Sequence, residues 1–176
     1  MATIPIGQGV AVTPLQMACV YATIANRGVW VQPRFVRATV GADGQIIDAP
    51  SSASQRVVSE RTAGIVTRML AYAVDVGTGT QAQIPGFWVA GKTGTARKVL
   101  ANGTGYSNKY VASFIGFAPA ASPAVVVAAV LDEPITEFGG VAAAPLFQEI
   151  ARFALARLRI PPGRKLPAPP HAIPAG

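Results

Sequence analysis

The chain has 176 residues, of which 51% are hydrophobic and 13% are charged, and its net charge is +7 at pH 7. This composition excludes a disordered polar chain and allows a sizeable core within one domain or part of one. The basic residues are scattered, and no run of Lys and Arg alternates with aromatic residues. The sequence therefore predicts no nucleic-acid partner.

The chain has few of the residues that bind metals or carry out thiol chemistry. Cys19 is the only cysteine, and His171, the only histidine, lies in a Pro-rich tail. These counts argue against a disulfide framework, a Cys-rich metal site and His-dependent catalysis, so we predict no metal and no cofactor. The longest apolar run, residues 124–131, is shorter than the ~20 residues that a membrane span needs. The first residues do not resemble a signal peptide, so we expect any export signal or anchor to lie outside this chain.

The first half of the chain predicts two helices separated by a hairpin. Thr13 can cap a helix that Gln16 completes as a capping box. Residues 41–44 have the composition of a turn between two short strands. Ser59 is a second N-cap candidate, and the helix that follows should end near Gly77.

The second half predicts a sheet and a last helix. A strand over residues 87–90 leads into Gly-Lys-Thr-Gly-Thr, and further strands cover residues 110–117 and 124–131. Short connections favour an antiparallel arrangement. A helix over residues 142–158 carries an apolar stripe of Leu146, Ile150 and Phe153. We therefore predict an α+β fold with an antiparallel sheet flanked by helices.

Gly-Lys-Thr has two interpretations. Residues 86–93 satisfy the phosphate-loop pattern G-x-x-x-x-G-K-T, and Asp132-Glu133 after an apolar strand resembles a magnesium-binding acid. However, a phosphate loop follows a strand and opens a helix at its Thr. Here Pro85 precedes the pattern, its interior is Phe-Trp-Val-Ala, and Gly94 follows the Thr. A nucleotide-binding protein remains an alternative, and it requires residues 94–100 to be helical.

The other interpretation takes Lys92-Thr93-Gly94-Thr95 as the K-T-G motif of serine acyl-transferases of the penicillin-binding and β-lactamase group. On a sheet-edge strand, Lys92 would place a cation beside a substrate carboxylate, and Thr93 and Thr95 would offer hydroxyls to it. Gly94 would allow close approach to the backbone. The Thr95 N–H would help to bind an oxyanion, so Lys92 and Thr95 are the catalytic candidates.

The sequence around this motif resembles the transpeptidase domain of class B penicillin-binding proteins. The resemblance covers about residues 4–158, from IGQGVAVTPLQM through GKTGTARKV to GGVAAAPLF, and Ala-Arg-Lys after K-T-G-T is similar to the division (septal) type. It implies the penicillin-binding fold, in part, over residues 1–160, and residues 161–176 are expected to be a disordered Pro-rich tail.

The same resemblance implies a membrane-anchored enzyme facing the cell wall, with no cofactor. Such an enzyme cross-links D-Ala-D-Ala stem peptides of peptidoglycan through a serine acyl-enzyme, is trapped by β-lactams and works with cell-division proteins. The family also needs Ser-x-x-Lys and Ser-x-Asn, and no serine of this chain begins either motif. We therefore expect the C-terminal part of such a domain, inactive alone. A non-catalytic module that binds wall peptides is the remaining alternative.

Overall fold

The computed structural model describes residues 8–100, 102–136 and 138–163. In chain order its elements are α1 (Pro14–Ala25), β1 (Val29–Val31), β2 (Ala38–Val40), β3 (Ile46–Asp48), β4 (Ser54–Arg56), α2 (Glu60–Asp75), a short 3-10 helix (Thr80–Ala82), β5 (Ala90–Val99), β6 (Tyr106–Ala118), β7 (Val125–Asp132) and α3 (Gly139–Arg157).

All strand pairs are antiparallel. β1 pairs with β4, β2 pairs with β3 in the predicted hairpin, and β5, β6 and β7 form a three-stranded sheet in that order. Helices lie on both faces of this sheet, because successive side chains of a strand point to opposite sides. Phe114 of β6 contacts Phe147 of α3 on one face, whereas Phe117 packs with Tyr21 and Ala71 on the other. The predicted α+β fold is confirmed.

Both predicted helix starts are confirmed. The Thr13 hydroxyl accepts a hydrogen bond from the Gln16 N–H at 3.2 Å, and the Gln16 side chain accepts one from the Thr13 N–H at 2.8 Å. Ser59 caps α2 through the Thr62 N–H at 3.0 Å. These bonds satisfy N–H groups that have no partner within the helix.

Two predictions about packing and bounds were wrong. The strand predicted over residues 87–90 begins only at Ala90, because Pro85 and Gly86 (φ 80°) form a tight turn in which the Phe87 N–H bonds the Ile84 carbonyl at 3.0 Å. The stripe predicted on the last helix is exposed: Phe153 is 73% accessible, whereas α3 packs on the sheet through another face. That face carries Ala143, Ala144, Phe147, Ala151 and Leu155.

The predicted Pro-rich tail begins against the folded part of the chain. The Gly163 N–H donates to the Gly86 carbonyl at 3.1 Å. Residues 164–176, the rest of that predicted tail, lie outside the described residues. The predicted boundary between residues 160 and 161 stays a prediction.

Candidate substrate-binding site

The Lys-Thr-Gly-Thr motif lies within β5, in continuous register with β6 from Ala90 to Arg97. The helix that a phosphate loop requires after Thr93 is therefore absent, since β5 continues to Val99. The acid pair considered for magnesium is engaged elsewhere: Lys98 contacts Asp132 at 2.9 Å and Glu133 at 2.8 Å. The nucleotide-binding alternative is contradicted by this geometry.

β5 is an edge strand of the described sheet, so one side of its backbone faces away from β6. Along an antiparallel strand, alternate residues point both backbone groups outward. Arg97 is one of them, because its N–H and C=O bond the Gln8 side chain. By alternation, the N–H and C=O of Thr93 and Thr95 face the same edge. The edge is thus available beside the two hydroxyl residues of the motif.

Lys92 reaches this edge with its ammonium group. Its side chain starts on the sheet face that packs against α1 and curls over the edge, where Nζ donates to the Thr93 carbonyl and to Thr93 Oγ1, both at 3.1 Å. Burial lowers the pKa of Lys92 below its ordinary 10.5, since the charged form loses hydration. The ion pairs among the described residues do not include Lys92. A partly desolvated cation without an acidic partner favours an anionic ligand.

The two threonines lie on the opposite face of β5, toward α3. Thr93 Oγ1 is 2.8 Å from Thr78 Oγ1, and Thr95 Oγ1 accepts the Gly139 N–H at 3.2 Å. Thr95, a residue of β5, therefore caps the first turn of α3. Because its hydroxyl oxygen only accepts in this bond, the hydroxyl proton stays available for a ligand. The partial positive charge of the helix N-terminus lies beside that hydroxyl.

Glycines allow these backbones to meet. A Cβ on Gly139 would lie 2.4 Å from the Ser113 carbonyl oxygen and 2.5 Å from that of Gly94, so any larger residue would force the start of α3 away from the sheet. A Cβ on Gly94 would lie 2.5 Å from Ser113 Oγ. This contact involves a hydroxyl that can turn away, so packing alone does not require glycine at this position, and the predicted role of Gly94 in substrate approach stays a prediction.

The motif lines a groove on each face of β5. The groove on the α3 side has a volume of about 770 Å³, and the groove on the α1 side about 470 Å³. Both are lined by Lys92, Thr93 and Thr95, so they meet at the free edge. The larger groove is also lined by Gln8, Thr78, Arg97, Tyr106, Tyr110, Phe138 and Gly139. Apolar side chains line both grooves, including Val12 and Met17 on the α1 side and Phe138 and Val141 on the α3 side, and Thr78 lines the α3 side alone.

The four predicted site residues, Lys92 to Thr95, are consecutive in β5. Thr93 and Thr95 face the free edge with their backbone groups, Lys92 reaches it with its ammonium group, and Gly94 pairs with Ser113 of β6. The structure adds Thr78 as a partner of Thr93, and Gln8 and Gly139 as partners of the same strand. Sequence reasoning missed these contacts because 89 residues separate Gln8 from Arg97, and 44 separate Gly139 from Thr95. The available signal was Gly-Thr-Gly-Thr at residues 77–80 and Gly-Gly at 139–140, small residues that suit close backbone approach.

No group of three or more His, Cys, Asp or Glu side chains able to hold a metal occurs in residues 8–100, 102–136 and 138–163. Over the same residues, none of the helices has the length and apolar character required to cross a bilayer.

Comparison with known proteins gives one consistent result. The family model of the penicillin-binding protein transpeptidase domain matches residues 1–152. PbpB of Mycolicibacterium smegmatis is 39% identical over 183 residues, which covers 98% of this chain and 28% of that protein. The probable peptidoglycan D,D-transpeptidase PenA of Neisseria gonorrhoeae is 38% identical, covering 95% of this chain and 27% of PenA.

Solved structures agree with the sequence matches. Penicillin-binding protein 3 of Mycobacterium tuberculosis, complexed with ampicillin, superimposes with a TM-score of 0.83 at 39% identity, covering 94% of this chain and 39% of that one. The chain thus spans little more than a quarter of the length of the curated relatives it matches. It belongs to the penicillin-binding protein transpeptidase domain family and corresponds to part of a class B member.

Proposed function

We propose that this chain carries the substrate-docking strand of a peptidoglycan D,D-transpeptidase of the division type. In this proposal Lys92, Thr93 and Thr95 bind the C-terminal carboxylate of a D-Ala-D-Ala stem peptide, or the carboxylate of a β-lactam. The observation that carries the proposal is the position of the Lys92 ammonium, which lies at a free strand edge 3.1 Å from Thr93 Oγ1 and outside the described ion pairs.

Each residue of the motif has a distinct task. Lys92 uses two of its three N–H donors within β5 and can give the third to a carboxylate oxygen. When the Thr78 hydroxyl donates to Thr93 Oγ1, the Thr93 proton is directed to the ligand as well. The Thr95 hydroxyl donates to the second oxygen, and the Thr95 N–H at the edge stabilises the oxyanion that develops when a serine attacks the peptide carbonyl. In this proposal Lys92 and Thr95 act in catalysis, and Gly94, which lacks a side chain, lets the substrate approach the backbone closely.

The serine and its lysine base are expected from sequence outside this chain, because no Ser-x-x-Lys occurs within it. The chain alone then binds carboxylate ligands without becoming acylated. The whole protein would work at the outer face of the cell membrane together with cell-division proteins. The relatives solved with ampicillin and aztreonam support β-lactams as ligands of the whole protein.

A pair of ligands tests the carboxylate site. N-acetyl-Lys-D-Ala-D-Ala should bind the chain at least ~10-fold more tightly than the same peptide with a C-terminal amide, since charged hydrogen bonds contribute about 1.5–3 kcal/mol. Lys92→Ala should remove this difference, measured by titration calorimetry. Lys109→Ala is the matched control, because Lys109 pairs with Glu133 at the end of the sheet.

Equal affinity for the acid and the amide would refute the carboxylate site. A fluorescent penicillin should remain non-covalent on the chain in denaturing electrophoresis. Covalent labelling would show that the chain holds a nucleophile and would refute the proposed division of the active site.

A further inference from the structure

The side chain of Gln8 contacts the free edge of β5 at one residue. Its Oε1 accepts the Arg97 N–H at 2.7 Å, and its Nε2 donates to the Arg97 carbonyl at 3.3 Å. A carboxamide offers the same acceptor and donor as a peptide unit. The Gln8 side chain therefore bonds the N–H and the C=O of Arg97 in the way that the backbone of a neighbouring strand would.

Arg97 is itself held in place by its side chain. Its Nε donates to the Ser107 carbonyl at 3.2 Å, and its guanidinium carbon lies 5.8 Å from the centre of the Tyr110 ring. Both contacts are with β6, so the backbone of Arg97 is fixed to the sheet while Gln8 covers its outer side. The contact with Gln8 is thus made by a well-anchored strand residue.

This contact limits what the edge can offer to a ligand. The outward-facing residues from the motif onward are Thr93, Thr95 and Arg97, by the alternation of an antiparallel strand. The Thr93 carbonyl accepts from Lys92, and both groups of Arg97 bond Gln8. Thr95 lies between these two positions, and its outward N–H and C=O bond neither Lys92 nor Gln8. Thr95 is therefore the residue whose backbone can pair with a ligand at this edge.

We propose that Gln8 is a specificity-determining residue. It limits the backbone hydrogen bonds between a bound peptide and β5 to a single residue pair, the one at Thr95. The inference rests on the proposed function, in which the ligand carboxylate lies at Lys92. To pair with this edge, the peptide must then run antiparallel to β5, from Arg97 toward Lys92. One peptide residue pairs with Thr95, and the residue that would pair with Arg97, two positions nearer the peptide N-terminus, is displaced by Gln8.

Peptide length provides the test. Acetylated peptides of three and five residues ending in D-Ala-D-Ala, with neutral side chains, should bind the wild-type chain within about twofold of each other. With Gln8→Ala, the five-residue peptide should bind about 5- to 10-fold more tightly than the three-residue one, because it gains a pair of backbone hydrogen bonds. N-methylation of the peptide residue opposite Arg97 should reduce that gain and leave wild-type binding unchanged.

Amide hydrogen exchange tests the contact without a ligand. The Arg97 amide should exchange more slowly in the wild type than in Gln8→Ala, while the amides of β6 are unchanged as an internal control. A wild-type chain that favours the five-residue peptide and loses affinity on its N-methylation overturns the inference, even if Gln8→Ala fails to fold. Failure of every peptide to bind, including the shortest, rejects the proposed function instead.

Discussion

Gly139→Ala is the sharpest test of how the site is assembled. A methyl group at this position would lie 2.4 Å from the Ser113 carbonyl oxygen and 2.5 Å from the Gly94 carbonyl oxygen. Both atoms belong to the backbone of paired strands, so neither can move aside without disturbing the sheet. The start of α3 must therefore withdraw by roughly 0.5–1 Å, which lengthens the 3.2 Å bond between the Gly139 N–H and Thr95 Oγ1.

The expected loss of stability combines two opposing effects. Overpacking costs about 1–3 kcal/mol, whereas replacing glycine by alanine in a helix contributes up to about 1 kcal/mol. We expect Gly139→Ala to lower the free energy of unfolding by about 1–2 kcal/mol in urea titrations followed by circular dichroism. It should also weaken binding of the peptide carboxylate, since the Thr95 hydroxyl loses the partner that orients it.

Gly64→Ala is the matched control. Gly64 lies within α2, and a Cβ built there meets no atom within 4 Å. The same change should therefore raise the free energy of unfolding by about 0.5–1 kcal/mol. If both variants were stabilised equally, the close approach of α3 to the strands of the sheet would be refuted.

Three further predictions concern titrating groups. Burial lowers the pKa of Lys92 from 10.5, so its charge costs stability at neutral pH. The wild type should gain stability relative to Lys92→Met as the pH rises from that lowered pKa to 10.5, where the unfolded chain also loses the proton, and a constant difference in urea titrations would contradict this. Lys109 and Lys98 hold the pKa of Glu133 below 4.5, so Glu133→Gln should destabilise the fold at neutral pH. The difference in melting temperature between this variant and the wild type should shrink in salt and vanish as the pH falls through the lowered pKa. Burial raises the pKa of Tyr21 from 10.0 to about 12, so the wild type should lose roughly 2–3 kcal/mol relative to Tyr21→Phe between these pH values. A stability difference that stays constant over this range would contradict the burial of the phenol.

The features that could be predicted from the sequence are those decided by neighbouring residues. The capping box at Thr13 and Gln16 involves groups three positions apart, and the same holds for the cap at Ser59. The strand character of the motif also followed from local evidence, since Gly94 disfavours the helix that a phosphate loop would need. Local preference and tertiary structure agree at these positions.

The packing of α3 could not be predicted in this way. The helix has apolar residues on more than one side, and periodicity favoured the larger side chains Leu146, Ile150 and Phe153. The structure buries the side with alanines instead, where Ala143 and Ala151 let the helix approach the sheet closely around Phe147. Which face wins depends on the shape of the opposing surface, which a single helix does not encode.

Residues 86–93 satisfy a phosphate-loop pattern, yet their geometry suits a different anion. A phosphate loop converges several consecutive N–H groups on one group of oxygens. In β5 only alternate N–H groups face the free edge, about 7 Å apart, so they cannot meet on a single phosphate. That spacing equals the repeat of an extended peptide, and Lys92 adds one cation at one end of it. The proposed ligand, a peptide that ends in a carboxylate, fits an edge of this kind, and in our proposal Gln8 limits how much of that peptide the edge can hold.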